Sequence, residues 1–239
     1  MIILKLEDKD TIQLELSNVS FNYNQQGQSI KIFEDINLKC TAGNIITIMG
    51  PSGSGKTTLL HLLALIYKPS TGQIMLNGQE IDFEDIEKID TLRKTYFGIH
   101  TQEILLFEKI GIVENLMIDF EIHSDLPEKE KLDREYLIEL IYSLNLNHLL
   151  SRKVNELSMG EKQRLSIIRS LISKPKLLIL DEPTASLDYD NVLSLIKILN
   201  KLRMNKDQIT IIFTHDPLFL RYSHQSYRIS NYKLNKIEN

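Results

Sequence analysis

The spacing of apolar and polar residues divides this chain into segments with different periods. Across 11–23 apolar residues alternate with polar ones, which is typical of strands with one buried face, and the polar, Gly-containing segment 24–29 predicts a turn. Another strand is predicted at 73–76, closed by a tight turn at Asn77 and Gly78. The N-terminal part of the chain therefore predicts a small antiparallel β layer.

Uninterrupted apolar runs follow at 45–49 and 177–180, and further strands are predicted near Ile209 and Tyr227. Runs that are apolar on both faces are expected for central strands of a parallel sheet. Between the strands at 177 and 209, apolar residues recur at helical spacing, at Val192, Leu195, Ile196, Leu199 and Leu202. This alternation of strand and helix predicts an α/β fold whose sheet has a parallel core.

From about 103 to 156 the pattern becomes helical and charged. A turn at 125–128 leads into a helix predicted near 129–144. We interpret 103–156 as a helical insert within a single domain that spans 1–239. The apolar start of the chain, 1–10, predicts an edge strand.

Composition and charge exclude several classes of protein. A chain of 239 residues with 42% hydrophobic content is long enough for one sizeable core. Its net charge of −4 comes from interspersed acids and bases, so we expect no nucleic-acid partner. No apolar run approaches the roughly 18 residues that cross a bilayer, and no secretion signal is evident. Cys40, the only cysteine, excludes an intrachain disulfide and fits the reducing cytoplasm.

The segment GPSGSGKTT has the sequence of a phosphate-binding loop. It follows the predicted strand 45–49 and precedes a predicted helix at 59–65, which is the context such a loop requires. Its glycines allow the backbone N–H groups to surround an anionic phosphate chain at a helix N-terminus. The residues that we expect to bind nucleotide are Gly50, Pro51, Ser52, Gly53, Ser54, Gly55, Lys56, Thr57 and Thr58.

Three side chains of this loop have distinct expected roles. Lys56 would reach the β- and γ-phosphates, the Thr57 hydroxyl would coordinate Mg²⁺, and Thr58 would lie near the α-phosphate. The alternative is a glycine-rich turn with an incidental lysine. The complete motif in its proper context favours ATP binding with Mg²⁺ as the metal.

Asp181 and Glu182 end the apolar run 177–180, where a parallel sheet binds its ligands. Two adjacent acids at the end of a buried strand are costly unless they bind or react with something. We expect Asp181 to hold Mg²⁺ and Glu182 to orient or deprotonate the attacking water. The alternative is that the pair caps the turn at Pro183 and Thr184.

Together with these two motifs, several shorter segments resemble the nucleotide-binding subunits of ATP-binding cassette (ABC) transporters over nearly the whole chain. Residues 157–161, LSMGE, resemble the family's LSGGQ signature, and 186–188 resemble its D-loop. Gln102 falls on the family's Q-loop glutamine, His215 on its switch histidine, and Tyr23 on the aromatic that stacks on adenine. The lipoprotein-releasing, macrolide-exporting and peptide-resistance branch is the most similar.

The resemblance implies a P-loop NTPase core with a parallel sheet, an N-terminal antiparallel β subdomain and an inserted α-helical subdomain. It implies an ATPase in which two cassettes, most simply a homodimer, pack head to tail. Ser158 and Gly160 of one subunit would then face the γ-phosphate held by Lys56 of the other, with Asp188 also at the nucleotide. Gln102 would sense Mg²⁺ and the γ-phosphate.

The same resemblance implies a partner and a location. A separate transmembrane permease would be powered from the inner face of the cell membrane, for export or extraction. Residues 103–107 are a candidate contact surface for it, and a core segment is the alternative interpretation. His215 would stabilise charge in the transition state. Both Tyr23 and His215 also have a purely structural interpretation, as a half-buried strand residue and a strand-end histidine.

Two other functions stay open. Met159 stands where the family's first signature glycine usually sits, which would weaken closure of the dimer or slow turnover. One alternative is therefore a regulatory or assembly switch that moves no solute. A small-molecule kinase is a further alternative, but it leaves the signature segment unexplained.

Overall fold

The computed structural model describes residues 12–25, 27–124, 133–204 and 206–237, without the side chains of 119–124 and 203. The edge strand predicted at 1–10 and the turn predicted at 125–128 lie outside these residues, as does the first part of the helix predicted at 129–144. The described strands and α-helices, in chain order, are β1 (Gln13–Gln25), β2 (Gln28–Thr41), β3 (Ile45–Met49), α1 (Lys56–Leu63), β4 (Thr71–Leu76), β5 (Gln79–Glu80), α2 (Ile86–Tyr96), β6 (Phe97–His100), α3 (Ile112–Ser124), α4 (Arg134–Ser143), α5 (Met159–Ile172), β7 (Leu177–Asp181), α6 (Tyr189–Met204), β8 (Ile209–Thr214), β9 (Gln225–Ser230) and β10 (Lys233–Ile237). Short 3₁₀ helices lie at Asn147–Leu149, Val154–Glu156 and Pro217–Tyr222.

A four-stranded antiparallel sheet forms one layer, in the order β2-β1-β4-β5. Asn77 and Gly78 join β4 to β5 with φ of 52° and 74°, the left-handed conformation that a two-residue hairpin turn requires. The predicted β layer is therefore confirmed, although β1 and β2 extend further into the segment 24–29 than the turn prediction allowed.

The second sheet has six strands in the order β10-β9-β3-β8-β7-β6, parallel from β9 to β6. Met49, the last residue of β3, is paired with Thr214 on β8, and Asp181 on β7 is paired with Phe213. This register brings the ends of three central strands to one edge of the sheet. The predicted α/β fold with a parallel core is confirmed, with β10 added as an antiparallel edge.

Successive side chains of these central strands point to opposite faces and enter two hydrophobic clusters. Ile46 and Ile48 pack with α1 and the antiparallel sheet. Ile45 packs on the other face with α5, α6 and the helices of 112–143. The core therefore fixes β3 and β7 on both sides, which makes their carboxyl ends a rigid place for a site.

Helices α3 and α4 lie within the predicted insert 103–156, whose boundaries stay a prediction. The helix predicted to reach residue 144 ends at Ser143, with Leu144 as its C-cap. Helix α2 goes unpredicted by the sequence pattern, although Asp85 caps it by accepting a hydrogen bond from the Lys88 N–H. Among the described helices, none combines the length and apolar character that crossing a membrane requires.

Candidate functional site

The glycine-rich loop joins β3 to α1 at the edge of the parallel sheet. Gly53 and Gly55 adopt φ of 78° and 98°, a conformation that side chains with a Cβ rarely adopt. A Cβ on Gly50 would lie 2.4 Å from the Ser54 Oγ, so a side chain at this position would require the Ser54 hydroxyl to move. Helix α1 begins directly after Gly55, at Lys56, and ends at Leu63. The predicted helix at 59–65 is therefore displaced by three residues at its start, because the left-handed Gly55 lets the helix begin immediately.

Lys56 lies folded over the loop with its ammonium group at the centre of the site. Its Nζ donates hydrogen bonds to the carbonyl oxygens of Gly50, at 2.8 Å, and Pro51, at 3.3 Å. It also lies 3.7 Å from the Glu182 Oε1, with both side chains largely buried. A positive charge is thus held between the loop and the end of β7.

Asp181 ends β7 and is almost fully buried. The Thr57 side chain is close enough to this carboxylate to lower its pKa, so a hydroxyl and a carboxylate lie near one another. Burial and then the neighbouring Glu182 carboxylate raise the pKa of Asp181 from 3.8 to about 6, against the opposing effects of Lys56 and Thr57. Carboxylate and hydroxyl oxygens are the ligand types that Mg²⁺ prefers.

The raised pKa of Asp181 predicts a pH-dependent cost to stability. Because the folded pKa of about 6 exceeds the usual 3.8, the folded protein binds more protons between these values. The free energy of unfolding therefore falls as the pH rises through this window. Above pH 6 the folded protein bears the full cost of the ionised Asp181 carboxylate. We expect Asp181→Asn to raise the melting temperature by ~3–6 °C more at pH 8 than at pH 4.5, without nucleotide. An equal shift at both pH values in thermal unfolding would contradict the assignment.

At Glu182 the backbone leaves the direction of strand β7, which ends at Asp181. Glu182 has a left-handed φ of 46°, and its side chain is buried. Oε2 accepts hydrogen bonds from the Thr214 hydroxyl at 3.1 Å and the His215 N–H at 3.3 Å, and lies 2.9 Å from the His215 Nδ1. The carboxylate is therefore fixed between Lys56 and the end of β8.

Tyr23 lies beside the loop at the end of β1. Its hydroxyl is 3.2 Å from the Thr58 Oγ1, and its ring meets Phe21 edge-on at 5.0 Å. The residue is 36% exposed, so part of its surface is accessible to a ligand. The structure places Tyr23 next to the glycine-rich loop, and its contact with a base stays a prediction.

The signature residues lie at the N-terminus of α5. Ser158 caps this helix: its Oγ accepts from the Glu161 N–H at 3.3 Å, while the Glu161 carboxylate accepts from the Ser158 N–H at 2.7 Å. Met159 is 61% exposed, so its side chain is not packed into the fold. Within the described part of the chain, no hydrogen bond joins Ser158 or Gly160 to the cluster of Lys56, Asp181 and Glu182.

Asp188 and Gln102 also lie outside that cluster. Asp188 is exposed and accepts hydrogen bonds from the backbone and side chain of Asn191, which hold the pKa of its carboxyl below the usual range. Gln102 is exposed in the loop after β6. In a single chain, the described residues thus gather Lys56, Asp181 and Glu182, but not these two.

Two residues that hold Glu182 and the turn after it in place were not predicted from the sequence. The Thr214 hydroxyl donates to Glu182, and the buried Gln163 bridges two backbone groups of the turn after β7. Gln163 stands between Lys162 and Arg164 in the sequence, so the pattern of apolar residues along α5 does not indicate that its side chain is buried.

The segment after Gln102 presents apolar side chains outward. Leu105 is 73% exposed and Phe107 54% exposed. Asn115 holds this segment in place, since its side chain accepts from the Phe107 N–H and donates to the Phe107 carbonyl oxygen. Of the two interpretations of 103–107, a surface segment fits Leu105 and Phe107 better than a core segment does.

Comparison with known proteins gives one consistent family. Residues 33–185 match the family model described as ABC transporter. The lipoprotein-releasing system ATP-binding protein LolD of Psychrobacter arcticus is 34% identical over 203 residues, which are 85% of this chain and 89% of that protein. The LolD protein of Francisella tularensis is 32% identical over 228 residues, which are 95% of this chain and 98% of that one.

Solved structures show the same fold. A dimeric bacterial ABC transporter cassette superposes with a TM-score of 0.84 at 24% identity, covering 95% of this chain and 99% of that chain. A dimeric post-hydrolysis state of an ATP-binding cassette, bound to ADP and Pi, superposes with the same score, identity and coverage.

Proposed function

The chain belongs to the ABC transporter family and is an ATP-binding ATPase subunit, and from this premise we propose that it powers a permease carried on another polypeptide. The observation that supports this most is the convergence of Lys56, Asp181, Glu182 and His215 at one edge of the parallel sheet. Phosphoryl transfer to water requires a cation near the phosphates, oxygen ligands for a metal ion and a carboxylate that can act as base, all beside a phosphate-binding loop.

In this proposal each group acts at a stated atom. The Lys56 Nζ leaves its loop carbonyls to contact the β- and γ-phosphates, and Asp181 and Thr57 supply oxygen ligands to Mg²⁺, which neutralises phosphate charge when bound. Glu182 accepts the proton of the attacking water at Oε1, while its Oε2 is held by Thr214 and His215. His215, with an exposed ring, stabilises the γ-phosphate charge.

The remaining site residues act in a pair of identical subunits. Ser158 and Gly160, at an exposed helix N-terminus, approach the γ-phosphate held by the Lys56 loop of the second copy. Gln102 and Asp188 line the same composite site, and Tyr23 stacks on adenine. The separation of Ser158 and Gly160 from the cluster in one chain supports this arrangement, as does the dimeric state of the cassette with which the fold superposes.

The permease contact is proposed at the exposed segment that follows Gln102. Leu105 and Phe107 offer apolar surface on a segment held by Asn115, so they suit a helix from a membrane partner. The relatives belong to systems named for lipoprotein release, which supports extraction or export over import. The chain would then work at the inner face of the cell membrane.

Co-isolation from detergent-solubilised membranes tests this proposal. We expect the tagged chain to recover a multi-spanning membrane protein, and Leu105→Ser with Phe107→Ser to lose it while ATP hydrolysis in solution stays within about twofold. The matched control is Ile86→Ser, which changes a side chain that is 69% exposed on α2. Recovery of only a soluble partner, unaffected by the double variant, would favour the regulatory switch.

A further inference from the structure

Gln163 on α5 links two backbone groups of the turn that carries Glu182. Its Nε2 donates to the Glu182 carbonyl oxygen at 2.9 Å, and its Oε1 accepts from the Ser186 N–H at 2.9 Å. The side chain is only 4% exposed. One buried amide thus bonds both ends of the turn 182–186, using a donor and its acceptor at once.

This turn needs support because Glu182 has an unfavourable backbone. A left-handed φ of 46° is unfavourable at a residue with a Cβ. Inside the turn, the Glu182 carbonyl oxygen also accepts from the Ala185 N–H, but at 3.2 Å. The bond from Gln163 is therefore the shorter of the two that the Glu182 carbonyl oxygen accepts, while the Glu182 N–H donates to the Phe213 carbonyl oxygen at 2.8 Å.

The same helix contacts the turn at a second point. A Cβ built on Gly160 would lie 2.6 Å from the Ser186 carbonyl oxygen, so the backbone of α5 lies directly against the turn there. Contacts from Gly160 and Gln163, almost one helical turn apart, fix the orientation of the turn relative to α5. The direction of the Glu182 carboxylate depends on that orientation, because φ at residue 182 determines where its side chain points.

We infer that Gln163 is a positioning residue for ATP hydrolysis, one that holds the Glu182 backbone so that the carboxylate lies between Lys56 and His215. The inference rests on the proposed role of Glu182 as the base. It separates nucleotide binding from hydrolysis. The glycine-rich loop and Lys56 bind nucleotide, while the hydrogen bonds from Gln163 affect only the catalytic step. Removal of the bridge should therefore lower kcat and leave ATP affinity unchanged.

The test is Gln163→Met, which keeps a long unbranched side chain with good helix propensity but removes both hydrogen bonds. We expect kcat to fall by about ten- to a hundredfold, as for a misplaced catalytic group, with the Kd for ATP within about twofold. Gln208→Met is the matched control, since Gln208 is 7% exposed and its Nε2 donates to the Pro175 carbonyl oxygen at 2.7 Å. Gln208→Met should lower the melting temperature similarly without lowering kcat.

If Gln163→Met does not fold, a second variant, Gln163→Glu, tests the same inference. Gln163→Glu keeps an acceptor for the Ser186 N–H but has no donor for the Glu182 carbonyl oxygen when ionised. A loss of kcat without a change in ATP affinity would again support the inference. A kcat within about twofold of the parent, or an equal loss in Gln208→Met, would overturn it.

Glu182→Gln measured alongside separates the two proposals. If Glu182→Gln abolishes hydrolysis while the Gln163 variants retain the parent kcat, the positioning role fails and the proposed function survives. If Glu182→Gln itself retains hydrolysis, the assignment of the base fails, and the positioning role with it.

Discussion

Glu182→Gln is expected to lower ATP hydrolysis by about two to four orders of magnitude while ATP binding is retained. An amide cannot accept the proton of the attacking water, whereas its oxygen can still accept the hydrogen bond from the Thr214 hydroxyl. Binding should survive because Lys56 and the loop are unchanged, and loss of the carboxylate 3.7 Å from the Lys56 Nζ removes a competitor for its charge. The variant should therefore bind ATP and stop before hydrolysis.

The expected consequence in solution is an ATP-dependent dimer. Phosphate release measures the loss of turnover, and size-exclusion light scattering with and without Mg-ATP measures the association. Glu87→Gln serves as the control, since Glu87 is an exposed glutamate in the first turn of α2. Hydrolysis within about threefold of the parent would exclude Glu182 as the base. A variant that stays monomeric with bound ATP would exclude the proposed head-to-tail dimer.

Lys56→Ala is expected to weaken ATP binding by about ten- to a hundredfold, the cost of about 1.5–3 kcal/mol for a hydrogen bond to a charged group. The Lys56 charge also lowers the pKa of Asp181, so its removal favours the protonated carboxyl and weakens the metal ligand as well. Hydrolysis should fall at least as far as binding does.

Equilibrium titration with a fluorescent ATP analogue, with and without Mg²⁺, measures both effects for Lys56→Ala. The matched control is Lys68→Ala, which removes an exposed lysine that pairs with Glu84 beyond the end of α1. A Kd for ATP within about threefold of the parent would show that the Lys56 ammonium does not contact the phosphates.

Local sequence patterns predicted much of the fold. The bounds of β3, Ile45–Met49, match the prediction, and the Asn77-Gly78 turn lies where it was expected. These features depend on neighbouring residues: apolar runs bury both strand faces, and Asn-Gly accepts the left-handed turn.

Boundaries were less well predicted where the backbone changes conformation within a few residues. Helix α1 begins at Lys56 and not at 59, because the periodicity of the helix cannot be seen in its first turn, where the loop motif ends. Helix α2 went unpredicted although Ile89, Leu92 and Tyr96 share its buried face. Three apolar positions among charged residues form too weak a pattern to predict a helix unless the surface that covers them is known.

The sequence by itself determined which residues we propose to carry the chemistry of this protein: a glycine loop with Lys56, and an Asp181-Glu182 pair after a buried strand. Only the tertiary structure decided how they are arranged. Asp181 is the last residue of the strand and lies near Thr57, whereas the left-handed backbone of Glu182 turns its carboxylate toward His215. The Gln163 bridge arises when α5 packs against the end of β7, between residues far apart in the chain. Motifs are encoded by neighbours in sequence, but the direction of a side chain is set by packing between distant elements.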